Sequence, residues 1–148
     1  MLNDEKMIEV VSEYGGTVTN FDCILYACVE GGLKNVNPML FGSAILIGGG
    51  IAGVAGALSN DFVILTLENN TISLYVLNAL ATKINDKVGI PLQQVLKIKK
   101  GKFLVWNTVK IYFREKSKVK FTISNKVMGI KKQKANVDTF LHLLDNFK

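Results

Sequence analysis

Between residues 61 and 124 apolar residues recur in short, β-branched runs separated by turn signals, and that grammar leaves little room for anything but an antiparallel sheet. Residues 61–68, DFVILTLE, read as a buried strand. Asn69-Asn70 is a tight-turn signal, and residues 71–77 are the partner strand. Residues 78–91 read as a polar excursion ending at Pro91. Residues 92–100 then form a strand with Lys97 and Lys99 on one face and Leu96 and Ile98 on the other, turned by Gly101. Phe103, Val105, Val109, Ile111 and Phe113 share one parity across residues 102–115, with a break at Asn107. Residues 114–118, REKSK, are a hairpin loop. After it Val119, Phe121 and Ile123 alternate with Lys118, Lys120 and Thr122.

Helical spacing appears at the two ends and in the glycine-rich run within residues 35–60, which reads as an apolar helical insertion. Met7, Ile8, Val11 and Tyr14 follow an Asn3 or Asp4 cap, and Gly15-Gly16 stops that helix. Residues 17–30 turn to strand character, with Phe21, Cys23, Leu25, Ala27 and Val29 on one face, closed by Gly31-Gly32. A last helix is expected from an Asn136 N-cap, with Asp138 suiting its first turn and Val137, Phe140, Leu141, Leu144 and Phe147 as its apolar face. The class is therefore mainly β, with about six strands and a helix at each end.

At 148 residues the chain is long enough for one domain with its own core, since a domain of about that size buries roughly 68–70% of its unfolded surface. A hydrophobic content of 49% with two prolines excludes disorder, and two cysteines exclude a disulfide-dense scaffold. Cys23 and Cys28 are five apart, on opposite faces of a strand, so they form neither a metal pair nor a local disulfide. A single histidine, His142, on the polar side of the last helix, leaves no zinc set and no metal site. The acidic start MLNDEKMIEV has no apolar core after it and is not a signal peptide, so the expected location is the cytoplasm, peripheral to or inserted in the membrane.

The mean hydropathy of +0.26 owes its excess to residues 38–58, which carry no charge and six glycines. Three readings compete for this run. Gly48, Gly50 and Gly53 fit G-x-G-x-x-G, with Glu68 at the place of a ribose-binding carboxylate, which would make the chain a dinucleotide-binding oxidoreductase fragment. Against it, the helix between Ile51 and Asn60 has no solvated face, and the rest of the chain supplies hairpins. Alternatively the run contacts a membrane through Ile45, Leu46, Ile47, Ile51, Val54 and Leu58. Its small-residue seam of Gly42, Gly49, Gly53 and Gly56 also suits packing on the sheet or on a second copy, as in an immunity-type or regulatory self-associating protein.

Charge is unevenly spread. Residues 1–60 hold two basic against six acidic residues, while residues 61–148 hold sixteen against six. Lys97, Lys99, Lys100 and Lys102 flank Gly101, and Lys110, Arg114, Lys118 and Lys120 occupy the outward side of the next hairpin. Strand alternation gathers several of them on one surface, which calls for an anionic membrane or an acidic protein. Nucleic acid is the weaker partner, with only Trp106 and Tyr112 placed to stack on bases. No nucleophile–His–acid set, zincin motif or P-loop lysine is present, so no catalysis and no cofactor are expected.

The segments DFVILTLENNTISLYVL, GIPLQQVLKIKKGKF, VKIYFRE, KVKFTIS and KVMGIKKQKANVDTFLHLLDNF together resemble bacterial pleckstrin-homology-like domains. The resemblance implies a bent antiparallel barrel or half-barrel plugged by the C-terminal helix. It divides a single 1–148 unit into an N-terminal helix (1–16), a first strand (17–31), a glycine-rich apolar insertion (35–60), the remaining strands (61–134) and a capping helix (136–147). It further implies a non-enzymatic binding or tethering module. The phosphoinositide signature of eukaryotic members has no counterpart here, because the insertion replaces the first hairpin.

Overall fold

The computed structural model describes residues 2–14, 23–30, 46–47, 60–68, 70–78, 80–113 and 118–145. A helix α1 (Asp4–Glu13) precedes strands β1 (Cys23–Glu30), β2 (Leu46–Ile47), β3 (Asn60–Glu68), β4 (Thr71–Leu77) and β5 (Ile84–Pro91). A 3-10 turn, Leu92–Gln94, leads into β6 (Val95–Phe103), β7 (Trp106–Phe113) and β8 (Lys118–Ser124), and α2 (Gln133–Asp145) follows. The strands form one sheet in the order β2-β5-β4-β3-β1-β8-β7-β6, with every pairing antiparallel. Among the described residues the two end strands do not pair, so the described sheet is not closed. β1 joins two meanders, β3-β4-β5 and β6-β7-β8. Both edges of β3 are taken by antiparallel neighbours, β1 and β4, which leaves no place beside it for the parallel strand a dinucleotide fingerprint needs.

Alternation sets the core. Cys23, Leu25, Ala27 and Val29 of β1 turn inward with Val109, Ile111 and Phe113 of β7 and Val119, Phe121 and Ile123 of β8. Onto this inner face α2 lays Val137, Phe140 and Leu144. β3 and β4 are buried on both sides, as their unbroken apolar runs require. The second side belongs to α1, whose Met7, Val10 and Val11 cover Ile64, Tyr75, Leu77 and Ile84. Asn3 caps α1 by accepting from Lys6 N at 2.7 Å, and the Asp4 carboxylate accepts from Lys131 N and Lys132 N at 2.8 and 3.1 Å. The start of one helix is thus tied to the approach of the other.

Among the described residues β1 and β8 pair at Cys28↔Thr122 and Val29↔Phe121 and then part. Continued, that register would bring Ala27 opposite Ile123 and then Tyr26 opposite Ser124. Gln133 of α2 fills the gap: its Oε1 accepts from Tyr26 N at 3.0 Å, and its Nε2 donates to Tyr26 O and Ser124 O at 2.8 and 3.0 Å. Asn136 Oδ1 accepts from Ile24 N at 3.2 Å one step further along. Two side-chain amides thus stand in for a strand ladder where the sheet opens.

Several expectations are corrected. Residues 78–91 are not an excursion, since β5 lies there with Ile84, Val88 and Ile90 buried. The turn is at Leu104-Val105, and Gly101 sits inside β6 opposite Thr108. A register shift between Val95 and Lys97 swings Leu96 out to solvent instead of inward with Ile98. Ile8 is exposed and Val10 takes its place on the buried side of α1. The last helix begins at Gln133, so Asn136 lies in its first turns and bonds β1 instead of capping. Phe21, Phe147 and the glycines at 15, 16, 31 and 32 lie outside the described residues.

Candidate functional site

Registers across β6, β7 and β8 place the lysines. On the outer face Lys99 is opposite Lys110, which is opposite Lys120. One row away Lys97 faces Tyr112, which faces Lys118. Lys97, Lys99 and Lys118 are exposed, and Lys110 and Lys120 half-buried. Three ammonium groups directly opposite one another repel, which costs roughly 0.2–1 kcal/mol per pair relative to neutral residues. At the far end of the row Lys120 Nζ meets Glu30 Oε2 at 2.8 Å, and Thr122 Oγ1 donates to Glu30 Oε1 at 2.6 Å. The bond from Lys120, then that from Thr122, with the Lys110 charge added, hold the Glu30 carboxyl below its ordinary value. Lys99 Nζ stands 5.7 Å from the centre of the Tyr112 ring.

Not all of the expected lysines belong to this face. Lys100 and Lys102 pair with Val109 and Asn107, so they carry the inward parity, and Lys100 forms an ion pair with Asp145 of α2. The basic outer face is therefore Lys97, Lys99, Lys110, Lys118 and Lys120. Arg114 lies outside the described residues. So do Ile45, Ile51, Val54 and Leu58, and likewise Gly42, Gly48, Gly49, Gly50, Gly53 and Gly56. Of that run only Leu46 and Ile47 are placed, and they form β2 on the free edge of β5, so at these two positions the expected helical insertion is strand; the rest of the run lies outside the described residues.

Further along the same face the character changes. Beyond the lysine rows come Gly101, Thr108 and Thr122, then Phe103, Trp106 and Ser124. A Cβ on Gly101 would meet Thr108 Oγ1 at 2.8 Å, so the middle of the face is kept low. Trp106 borders a hollow of about 310 Å³, lined also by Tyr26, Cys28, Phe62, Thr122 and Met128. The Tyr26 and Phe62 rings stack there at 5.9 Å. No family model, curated protein or solved structure matches this chain. Among the described residues no group of His, Cys, Asp or Glu could hold a metal ion, and no helix is long and apolar enough to cross a membrane.

The aromatic end of this face escaped the sequence reading. Phe103 and Val105 share parity with Val109 and so pass for strand core. Only a tight turn inserted after Phe103 takes them out of it, and Leu104-Val105 has none of the Gly, Asn or Asp that announces such a turn.

Proposed function

We propose that this chain is a pleckstrin-homology-like half-barrel that binds, without catalysis, to anionic membrane surfaces through the outer face of β6, β7 and β8. The open antiparallel sheet and the C-terminal helix packed under it support the family reading. The observation that carries the functional one is the row Lys99–Lys110–Lys120: like charges are set side by side at a cost to the fold, with one carboxylate at the end of the row. An anionic surface relieves that repulsion.

Magnitudes favour a modest grip. At about 1 kcal/mol per lysine near an acidic leaflet, and with Lys120 neutralised by Glu30, the face supplies roughly 4 kcal/mol, which corresponds to a Kd of about 1 mM. Flotation tests the reading. Recovery of the protein is expected with phosphatidylserine-containing vesicles and not with phosphatidylcholine vesicles or without lipid. Equal recovery in all three discards it, and capture by an acidic polypeptide in place of vesicles would move the same face to a protein partner.

A further inference from the structure

Electrostatic contact of that strength does not hold a protein on a bilayer unaided, because stable peripheral binding takes two signals. We infer that the tip of the β6–β7 hairpin, Phe103-Leu104-Val105-Trp106, is the second signal and inserts into the lipid interface while the lysine face meets the headgroups. This rests on the anionic-surface reading above and adds an element and an orientation to it.

Three observations converge on the tip. Phe103, Leu104, Val105 and Trp106 are 73%, 75%, 37% and 48% exposed, an unbroken apolar run across a two-residue turn. Isolated exposed apolar residues mean little, but four in succession form a patch. Leu104 has φ 56°, a left-handed conformation that a glycine or asparagine would adopt without penalty. A large apolar side chain is thus held at the apex against the backbone's preference, which marks a position kept for what the side chain does. Finally, Phe103 and Trp106 lie on the same outer face as the lysines, and Asn125 N ties the turn to β8 by donating to Val105 O at 2.8 Å.

The spacing suits a bilayer. Lys99 and Phe103 are four residues apart in β6, about 13 Å at roughly 3.4 Å per residue. With the tip sunk about 5–10 Å to the acyl boundary, the row Lys99–Lys110–Lys120 stands within about one Debye length of the phosphates. Lys102, exposed beside the tip, reaches the same level. An indole suits this depth, with its ring in the interface and its N–H towards water.

Trp106 is the chain's one tryptophan, so its emission reports on the tip directly. With phosphatidylserine-containing vesicles the emission is expected to shift to the blue and to be quenched by lipids brominated near the headgroup end of the acyl chain. The variant Phe103→Ser with Leu104→Asn should lower vesicle partition by roughly tenfold or more. It keeps Trp106, and Asn suits the left-handed position, so its circular dichroism should match wild type. If the protein binds these vesicles but Trp106 is neither shifted nor quenched and the variant binds equally, the tip proposal is wrong while the lysine face stands. If nothing binds, both fall. A blue shift that grows with protein concentration without lipid would assign the tip to a second copy of this chain and overturn its insertion.

Discussion

Asp86 carries a carboxyl where the fold offers it almost no water. The residue is 2% exposed, accepts a hydrogen bond from Lys87 N at 2.8 Å, and lies near enough to Tyr14 for its charge, after burial, to help raise that phenol's pKa. Burial pushes the Asp86 pKa above the usual 3.8, and the Lys87 N–H only partly offsets this. The sign follows from linkage. A carboxyl whose folded pKa is raised destabilises the fold above that pKa, where both states are ionised. It costs nothing below 3.8, where both are protonated. Asp86→Asn, which keeps the acceptor for Lys87 N, is therefore expected to unfold at higher temperature than wild type at neutral pH. The two melting temperatures should converge as the pH falls from the raised folded value to 3.8 and coincide below it. Thermal unfolding followed between pH 3 and pH 7 checks this, and a gap that persists at the acid end would show that ionisation is not its source. Nothing in the sequence marked Asp86 as buried, because Asp86 itself interrupts the apolar alternation of Ile84, Val88 and Ile90 and disguises a strand as a polar connection.

Elements were legible where one period ruled their length. β8 follows a clean alternation, β3 and β4 are near-unbroken apolar runs, and β4 spans the residues 71–77 expected after the Asn69-Asn70 turn. What stayed hidden depends on neighbours in space. The register shift near Val95 that exposes Leu96 has no local signature, and neither has the turn at Leu104. The parting of β1 from β8 is of the same kind, and it gives the start of α2 a role no helix propensity reveals. Gln133 is 1% exposed and makes three hydrogen bonds to strand backbone, so its side chain is part of the sheet. Gln133→Leu preserves much of the volume but leaves Tyr26 N, Tyr26 O and Ser124 O without that partner. The expected loss is on the order of 2–4 kcal/mol of unfolding free energy, read by urea denaturation. Exposed Lys134, one residue on, serves as the control: its ion pair with Asp138 lies on the surface, so Lys134→Gln should change stability by less than about 0.5 kcal/mol.

At the scale of the whole molecule, the two halves of the sheet use their outer faces differently. Over β3 and β4 that face is closed by α1 and carries Ile64, Tyr75 and Leu77. Over β6, β7 and β8 it is left to lysines at one end and aromatic residues at the other. The first arrangement serves stability and the second works against it, so fold and binding should respond to salt with opposite signs. Raising ionic strength from about 0.01 M to about 0.15 M shortens the Debye length from roughly 30 Å to roughly 8 Å. Screening then weakens the repulsion between Lys99 and Lys110, and the protein should melt slightly higher. Over the same range its recovery on phosphatidylserine-containing vesicles should fall. Lys99→Gln with Lys110→Gln imitates salt chemically: it should equal or exceed wild type in stability, bind vesicles roughly thirtyfold less well, and flatten both salt dependences. A variant that loses stability and binding together would mean that these lysines hold the sheet instead of an anionic surface, and the reading of this face would have to be given up.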